Sequence, residues 1–231
     1  MIHQHIFAMP RPGLSVEEFQ DYWRYEHALK FAVPIKQVKK YKIDIRLEFD
    51  QIYNQFNYPA LAEIWLKNEK EQTESLLSSE YINGAKLDEK RWASTWQTLV
   101  LDTDSNLLLA LDIQAKDTPE YKLLVIFKRK EAIKLHDFRT NIINTMKSFN
   151  SIGNVVRNNV CFVRDKYYEN NEPCFDVIGH ISLDSYLNLK SFINDSDFKD
   201  ILHNNLFELA DPFVKTCMAV RSDWIVGPEP R

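Results

Sequence analysis

The clearest pattern in the chain is a strict alternation from Tyr41 to Phe49. Tyr41, Ile43, Ile45, Leu47 and Phe49 fall on one side, and Lys42, Asp44, Arg46 and Glu48 on the other. That period of two predicts a half-buried strand with its polar side in water. The run Ile2 to Met9 also has β-character and stops at the turn Pro10-Arg11-Pro12-Gly13. Ser15 stands three residues before Glu18, a capping box that opens a helix running to about Val33 and ending at Pro34. Strands are further predicted over Ala60 to Leu66 and Trp96 to Leu101, with one or two helices ending near Trp92 between them. The first half therefore reads strand, helix, strand, strand, helix, strand. The segment Asp102 to Glu120 reads as a link between halves, its apolar part docked.

The cycle then starts again. Leu123 to Phe127 reads as a strand and Lys134 to Phe149 as a helix, with Leu135, Phe138, Ile142, Met146 and Phe149 on one stripe. Strands follow over Val155 to Val163 and Phe175 to Leu183, then helical segments, and Thr216 to Val220 closes the unit. Shifting the sequence by 119 aligns Val16 with Leu135, Phe19 with Phe138, Trp23 with Ile142 and His27 with Met146. A shift of 117 aligns Ser79-Glu80-Tyr81 with Ser196-Asp197-Phe198. Each βαββαβ unit matches the ferredoxin-like plan, a four-stranded antiparallel sheet with helices on one face. The bare face must be covered. The expected fold is α+β: two tandem ferredoxin-like βαββαβ units, residues 1–110 and 118–231, whose sheets pack face to face as an intramolecular dimeric α+β barrel.

Net charge of −4 argues against nucleic acid or an anionic membrane surface as partner. No apolar run approaches a membrane span and no signal peptide is evident, so the expected location is cytoplasmic. Cys161, Cys174 and Cys217 form neither a disulfide framework nor a Cys-x-x-Cys metal site, and read as small buried hydrophobes. Five glycines in the whole chain leave no dinucleotide fingerprint or phosphate loop, and no nucleophile elbow occurs. No cofactor is expected.

His27 carries the candidate chemistry. It lies on the stripe Val16, Phe19, Trp23, His27, so an imidazole that titrates near neutrality should face the sheet. The aligned position in the second half is Met146, so packing alone can be met by an apolar side chain. His3 and His5 share a face of the first strand, with His3 expected to be exposed, and Glu63 shares a face with Trp65 on a neighbouring strand. Should that face lie under His27, then His5, His27 and Glu63 would converge for proton transfer. The same set could hold a metal, but a His-x-His pair is weak evidence and no metal is assigned. Tyr22 and Tyr41 could bring hydroxyls to the pocket, with Trp65 and His3 as further substrate contacts. His180 and His203 lack an evident acid–base partner and read as structural or exposed.

The order strand, Arg11, Gly13, Leu14, Ser15, Glu17, Glu18, Phe19, then Tyr22-Trp23, His27 and the strand residue Tyr41 resembles the EthD family of dimeric α+β barrel proteins. The strand Ala62-Glu63-Ile64-Trp65 resembles that family's third strand, while Ala28-Leu29 departs from the Gly-Pro or Ala-Pro pair usual after the histidine. The likeness covers roughly residues 1 to 110. It implies small-molecule chemistry, often without a cofactor, although some relatives bind haem. The expected function is an enzyme acting on a hydrophobic aromatic or polyketide-like substrate by proton transfer from His27, in dehydration, cyclisation or decarboxylation. A cofactor-independent oxygenase and a non-catalytic ligand-binding protein are the alternatives. The chain should be a monomer with an internal pseudo-dimer, or a homodimer, with one active pocket in its first half.

Overall fold

A computed structural model describes residues 1–49, 53–111, 118–169 and 171–231. The first half runs β1 (Ile2–Ala8), α1 (Val16–Asp21), β2 (Val38–Arg46), β3 (Ala60–Leu66), α2 (Glu69–Leu77), α3 (Lys86–Trp92) and β4 (Leu99–Ala110). The second runs β5 (Glu120–Arg129), α4 (Leu135–Ser148), β6 (Val155–Val163), β7 (Val177–Leu183), α5 (Tyr186–Asn194), α6 (Ser196–Ile201) and β8 (Ala210–Val226). The eight strands close into an antiparallel barrel in the order β1-β3-β2-β8-β5-β7-β6-β4. Both halves use the same internal order, β4-β1-β3-β2 and β8-β5-β7-β6. The β2–β8 and β4–β6 ladders join them.

Local chemistry explains where α1 begins. Gly13, at φ 100°, takes the left-handed conformation the turn requires, and Ser15 and Glu18 cap each other's backbone N–H groups. From Tyr22 to Ala32 the helix widens into a π-helix, with the Val33 N–H donating to the Ala28 carbonyl five residues back. Two strands are longer than the sequence pattern indicated. The segment expected to link the halves is largely β4, and β8 spans 17 residues where only Thr216 to Val220 was expected. Cross-strand partners on both sides extend them. The rest of that expected link, residues 112–117, lies outside the described residues.

Among the described residues, barrel closure creates three cores. One lies between the first-half helices and sheet (Phe19, Trp23, Tyr41, Ala62, Trp92), and a second in the same place in the other half (Phe138, Met146, Phe149, Phe192). The third fills part of the barrel interior, around Phe7, Leu61, Leu124 and Ile178. The polar side of β2 consequently does not face water: Lys42 and Asp44 are 4% and 0% exposed. A period-two pattern marks two unlike environments, and here the polar one is the inside of a closed barrel.

Candidate functional site

A cavity of about 520 Å³ lies between the first-half helices and the outer face of the barrel. The odd–even alternation of β1 sends Ile6 and Ala8 towards it, with Ala62 and Ile64 from β3. Trp23, His27 and Trp92 supply the helical wall. The rings of Trp23 and Trp92 lie 4.8 Å apart, as do those of His27 and Trp92, so the wall is a nearly continuous aromatic surface. Small side chains on the facing strands, Ala8 of β1 and Ala62 of β3, leave the room.

His27 is buried, and its Nδ1 lies 2.9 Å from Asp88 Oδ2. Nδ1–H therefore donates to the carboxylate, which leaves Nε2 as an acceptor. Asp88 accepts a second bond, from the Tyr22 hydroxyl at 2.8 Å, so both of its oxygens are occupied in fixing the ring. Burial lowers the His27 pKa, opposed by the hydrogen bond and charge of Asp88. The imidazole is thus neutral near pH 7 and able to take a proton. Glu89, the next residue on α3, also lines the cavity, and burial raises its pKa. Tyr41 lines it too, but its hydroxyl accepts from Trp23 Nε1 at 3.2 Å and so packs into the wall.

His3, His5, Glu63 and Trp65 stand elsewhere. All four point into the barrel, on the opposite side of β1 and β3 from His27. The expected convergence of His5, His27 and Glu63 is therefore wrong: residues of one strand parity cannot share a face with a helix packed on the other parity. His3 is also not exposed. At 1% exposure, its Nε2 lies 2.7 Å from Glu63 Oε2, its Nδ1 2.8 Å from Ser105 Oγ, and its ring stacks on Trp65. His180 is no isolated structural histidine, since its Nε2 is 3.0 Å from His5 Nε2. Its Nδ1 is 3.6 Å from Glu63.

Beside these imidazoles lies an ion network. Lys122 donates to Asp44 at 2.8 Å and to Glu63, and Lys42 donates to Glu120. Burial would raise the Glu63 pKa, but Lys122, His180 and His3 together hold it well below the usual carboxylate range. Burial pushes Asp44 up to about 7 against the pull of Lys122, and pushes His180 down to about 3. A second cavity of about 350 Å³ opens onto this group, lined among others by His3, Glu63, Lys122, His180 and Trp224.

Sequence reasoning missed Asp88, Glu89, Trp92 and His180. Asp88 and Trp92 are four apart, hence on one helix face, and an acid one turn before a buried tryptophan was the available signal. For His180 it was a histidine inside the run Val177-Ile178-Gly179-His180-Ile181. His203 packs edge-on to Tyr53 and carries none of this chemistry.

With this geometry in view, residues 11–95 match the family model of the EthD domain. The match spans the helix that bears His27, Tyr22 and Trp23 and the helix that bears Asp88, Glu89 and Trp92. No curated protein matches the sequence. Among solved structures, the chain is similar to an anthrone oxidase-like protein at 10% identity and a TM-score of 0.67, over 96% of this chain and 92% of the other. A "putative monooxygenase" from Fusobacterium nucleatum aligns at 10% identity and a TM-score of 0.63, covering 100% and 95%. Another from Lactobacillus acidophilus aligns at 11% and 0.57, covering 100% and 97%. At such identities the likeness establishes the fold: a mixed helix and strand protein built on an eight-stranded antiparallel barrel. Among the described residues no helix is long and apolar enough to cross a membrane.

Proposed function

We propose that the EthD-domain cavity binds a flat, hydrophobic aromatic molecule and that His27 removes a proton from it. The observation that carries this reading is the pairing of a neutral, carboxylate-oriented imidazole with an aromatic-walled cavity. Asp88 fixes the tautomer, so Nε2 is the base, and Tyr22 fixes Asp88. Glu89 is the companion acid, its carboxyl kept towards the protonated form by burial. Trp23 and Trp92 hold the ring system. Among the earlier substrate-binding candidates, Tyr41 belongs to this cavity as a wall, whereas His3 and Trp65 belong to the barrel interior.

Proton removal by His27 serves dehydration and cyclisation as well as oxygenation. The names of the structural neighbours support oxygenation. For an activated methylene flanked by aromatic rings, the carbanion left by His27 passes one electron to molecular oxygen. Recombination gives a peroxide anion, which His27 reprotonates. His27 takes the remaining C–H proton as the O–O bond breaks, Glu89 protonates the departing hydroxide, and the proton on His27 then returns to Glu89, leaving a carbonyl and one water. Carbon loses two hydrogens, dioxygen supplies both product oxygens, and no nucleotide cofactor enters.

The two units, residues 1–110 and 118–231, are read as a tandem duplication in which the second is a degenerate copy that completes the barrel. The shared strand order supports this, as does Met146 at the His27 position. A single chain then closes the barrel, and a monomer suffices. Anthrone is the first probe for the activity. It should quench the fluorescence of Trp23 and Trp92 and be consumed with oxygen by the wild type. His27→Ala should keep the quenching and lose the oxygen uptake. Undiminished uptake by His27→Ala would sink the assignment, and quenching without any uptake by the wild type would make this a binding protein.

A further inference from the structure

The barrel interior holds a second cluster that the EthD cavity does not use. His5 on β1, Glu63 on β3 and His180 on β7 bring one donor atom each to within 4.8 Å of one another, and all three side chains are buried. We propose that His5, His180 and Glu63 bind a divalent first-row transition-metal ion at the floor of the barrel-interior cavity.

Three observations lead there. The first is the contact between ring nitrogens. His5 Nε2 and His180 Nε2 face each other at 3.0 Å, so without an ion one ring donates its N–H to the other, and with one both lone pairs turn to the same point. Two ligands bound to one tetrahedral ion at about 2.0–2.1 Å are separated by a similar edge. The Glu63 oxygen that completes the set is 3.9 Å from His5 Nε2, within the movement of a side chain torsion.

The second is charge. Lys42 pairs with Glu120, while Lys122 serves both Asp44 and Glu63, so Glu63 shares its cation with a second carboxylate. An incompletely paired carboxylate inside a protein is costly, and a cation at Glu63 gives it a further partner. Neutral imidazole is also the form that ligates, and burial keeps both rings in that form.

The third is construction around the ligands. Glu63 accepts from His3 at 2.7 Å, and His3 is fixed in turn by Ser105. Lys122 donates to the other Glu63 oxygen. Outer partners of this kind orient a ligating carboxylate. Glu63 and His180 also line the 350 Å³ cavity, so an ion there keeps an open coordination position and a path of entry. Two histidines and one carboxylate with open positions suit iron(II), cobalt(II) or zinc(II).

The test uses the full chain, stripped with chelator and titrated with cobalt(II), read by visible ligand-field absorption, and with zinc(II), read by calorimetry. One ion per chain is expected. His5→Gln and His180→Gln should each weaken binding by more than about a hundredfold, beyond what loss of an outer partner costs. A His136→Ala/His203→Ala variant should bind as the wild type does. Absence of stoichiometric binding by the wild type would overturn the proposal without recourse to any variant. So would binding lost in the His136/His203 variant, or binding lost in Cys161→Ser but kept in His180→Gln, which would move the ion to the adjoining His3, His5 and Cys161 group. Zinc-induced shifts of the His5 and His180 ring nitrogens in NMR of the wild type give the same answer if the glutamine variants do not fold.

Discussion

Replacing Lys122 by Met tests how the barrel interior is held together. The side chain is 2% exposed, and its ammonium serves Asp44 and Glu63 at once. Asp44 is already pushed up to about 7 by burial, so the loss falls mainly on Glu63, which Lys122 helps to hold well below its ordinary value. Without the ammonium, Glu63 stays buried by taking a proton. At pH 7, protonating a group with an ordinary pKa of about 4.3 costs 1.36 kcal/mol for each of about 2.7 units, or roughly 4 kcal/mol. Breaking buried ion pairs elsewhere costs about 3–5 kcal/mol, in agreement. The sign follows from linkage. In the variant the folded pKa lies above the unfolded one, so the penalty grows as pH rises above about 4.3. The destabilisation should therefore be roughly 4 kcal/mol at pH 7 and roughly 1 kcal/mol at pH 5. Urea unfolding followed by circular dichroism at the two pH values measures both. Adding Glu63→Gln to Lys122→Met should recover much of the loss at pH 7. A loss below about 1 kcal/mol at pH 7, or one that does not shrink on acidification, would refute the reasoning.

Asp88→Asn should lower the His27 pKa further, because the carboxylate is what opposes burial there; a histidine NMR titration with an unmoved midpoint would contradict the assignment of Asp88. Burial keeps His27 neutral in the fold while the unfolded chain protonates near pH 6.5, so stability falls as pH drops below about 6.5 through the lowered folded value. His27→Gln should remove part of that slope, seen as a narrowing gap in melting temperature between wild type and variant towards low pH; parallel curves would count against it. Gly179→Ala should cost about 1 kcal/mol, since an added Cβ would meet Met146 Cε at 2.7 Å and the flexible thioether can yield. Gly179→Val should cost clearly more in the same denaturation assay, and equal losses would show that Met146 is not what fills that space.

Much of the fold was legible because it rests on local chemistry. The Ser15–Glu18 capping box, the stripe through Phe19 and Trp23, and the alternation after Tyr41 each name an element without reference to its neighbours. The site was legible only where one helix decides it. His27 was found because its own stripe buries it, but Asp88 comes from 61 residues away and depends on how α3 leans on the π-helical segment. The error over His5 and Glu63 has a single cause. Parity says which residues share a strand face but not which face a helix covers, and in a closed barrel both faces are inside. The same ambiguity made Lys42 and Asp44 look solvated.

Closure of the barrel also sets a timetable for synthesis. β8 pairs with β2 on one side and β5 on the other, so neither ladder can form before residues 210–226 have left the ribosome. At bacterial and eukaryotic elongation rates, the free edge of β2 waits roughly ten to forty seconds after its own emergence. An unpaired strand edge invites pairing with other chains. The start of β2, Val38-Lys39-Lys40-Tyr41-Lys42, sets three lysines at and beside that waiting edge. In the finished barrel Lys42 is an interior cation. On the nascent chain it is one of the charges that keeps the edge from finding the wrong partner.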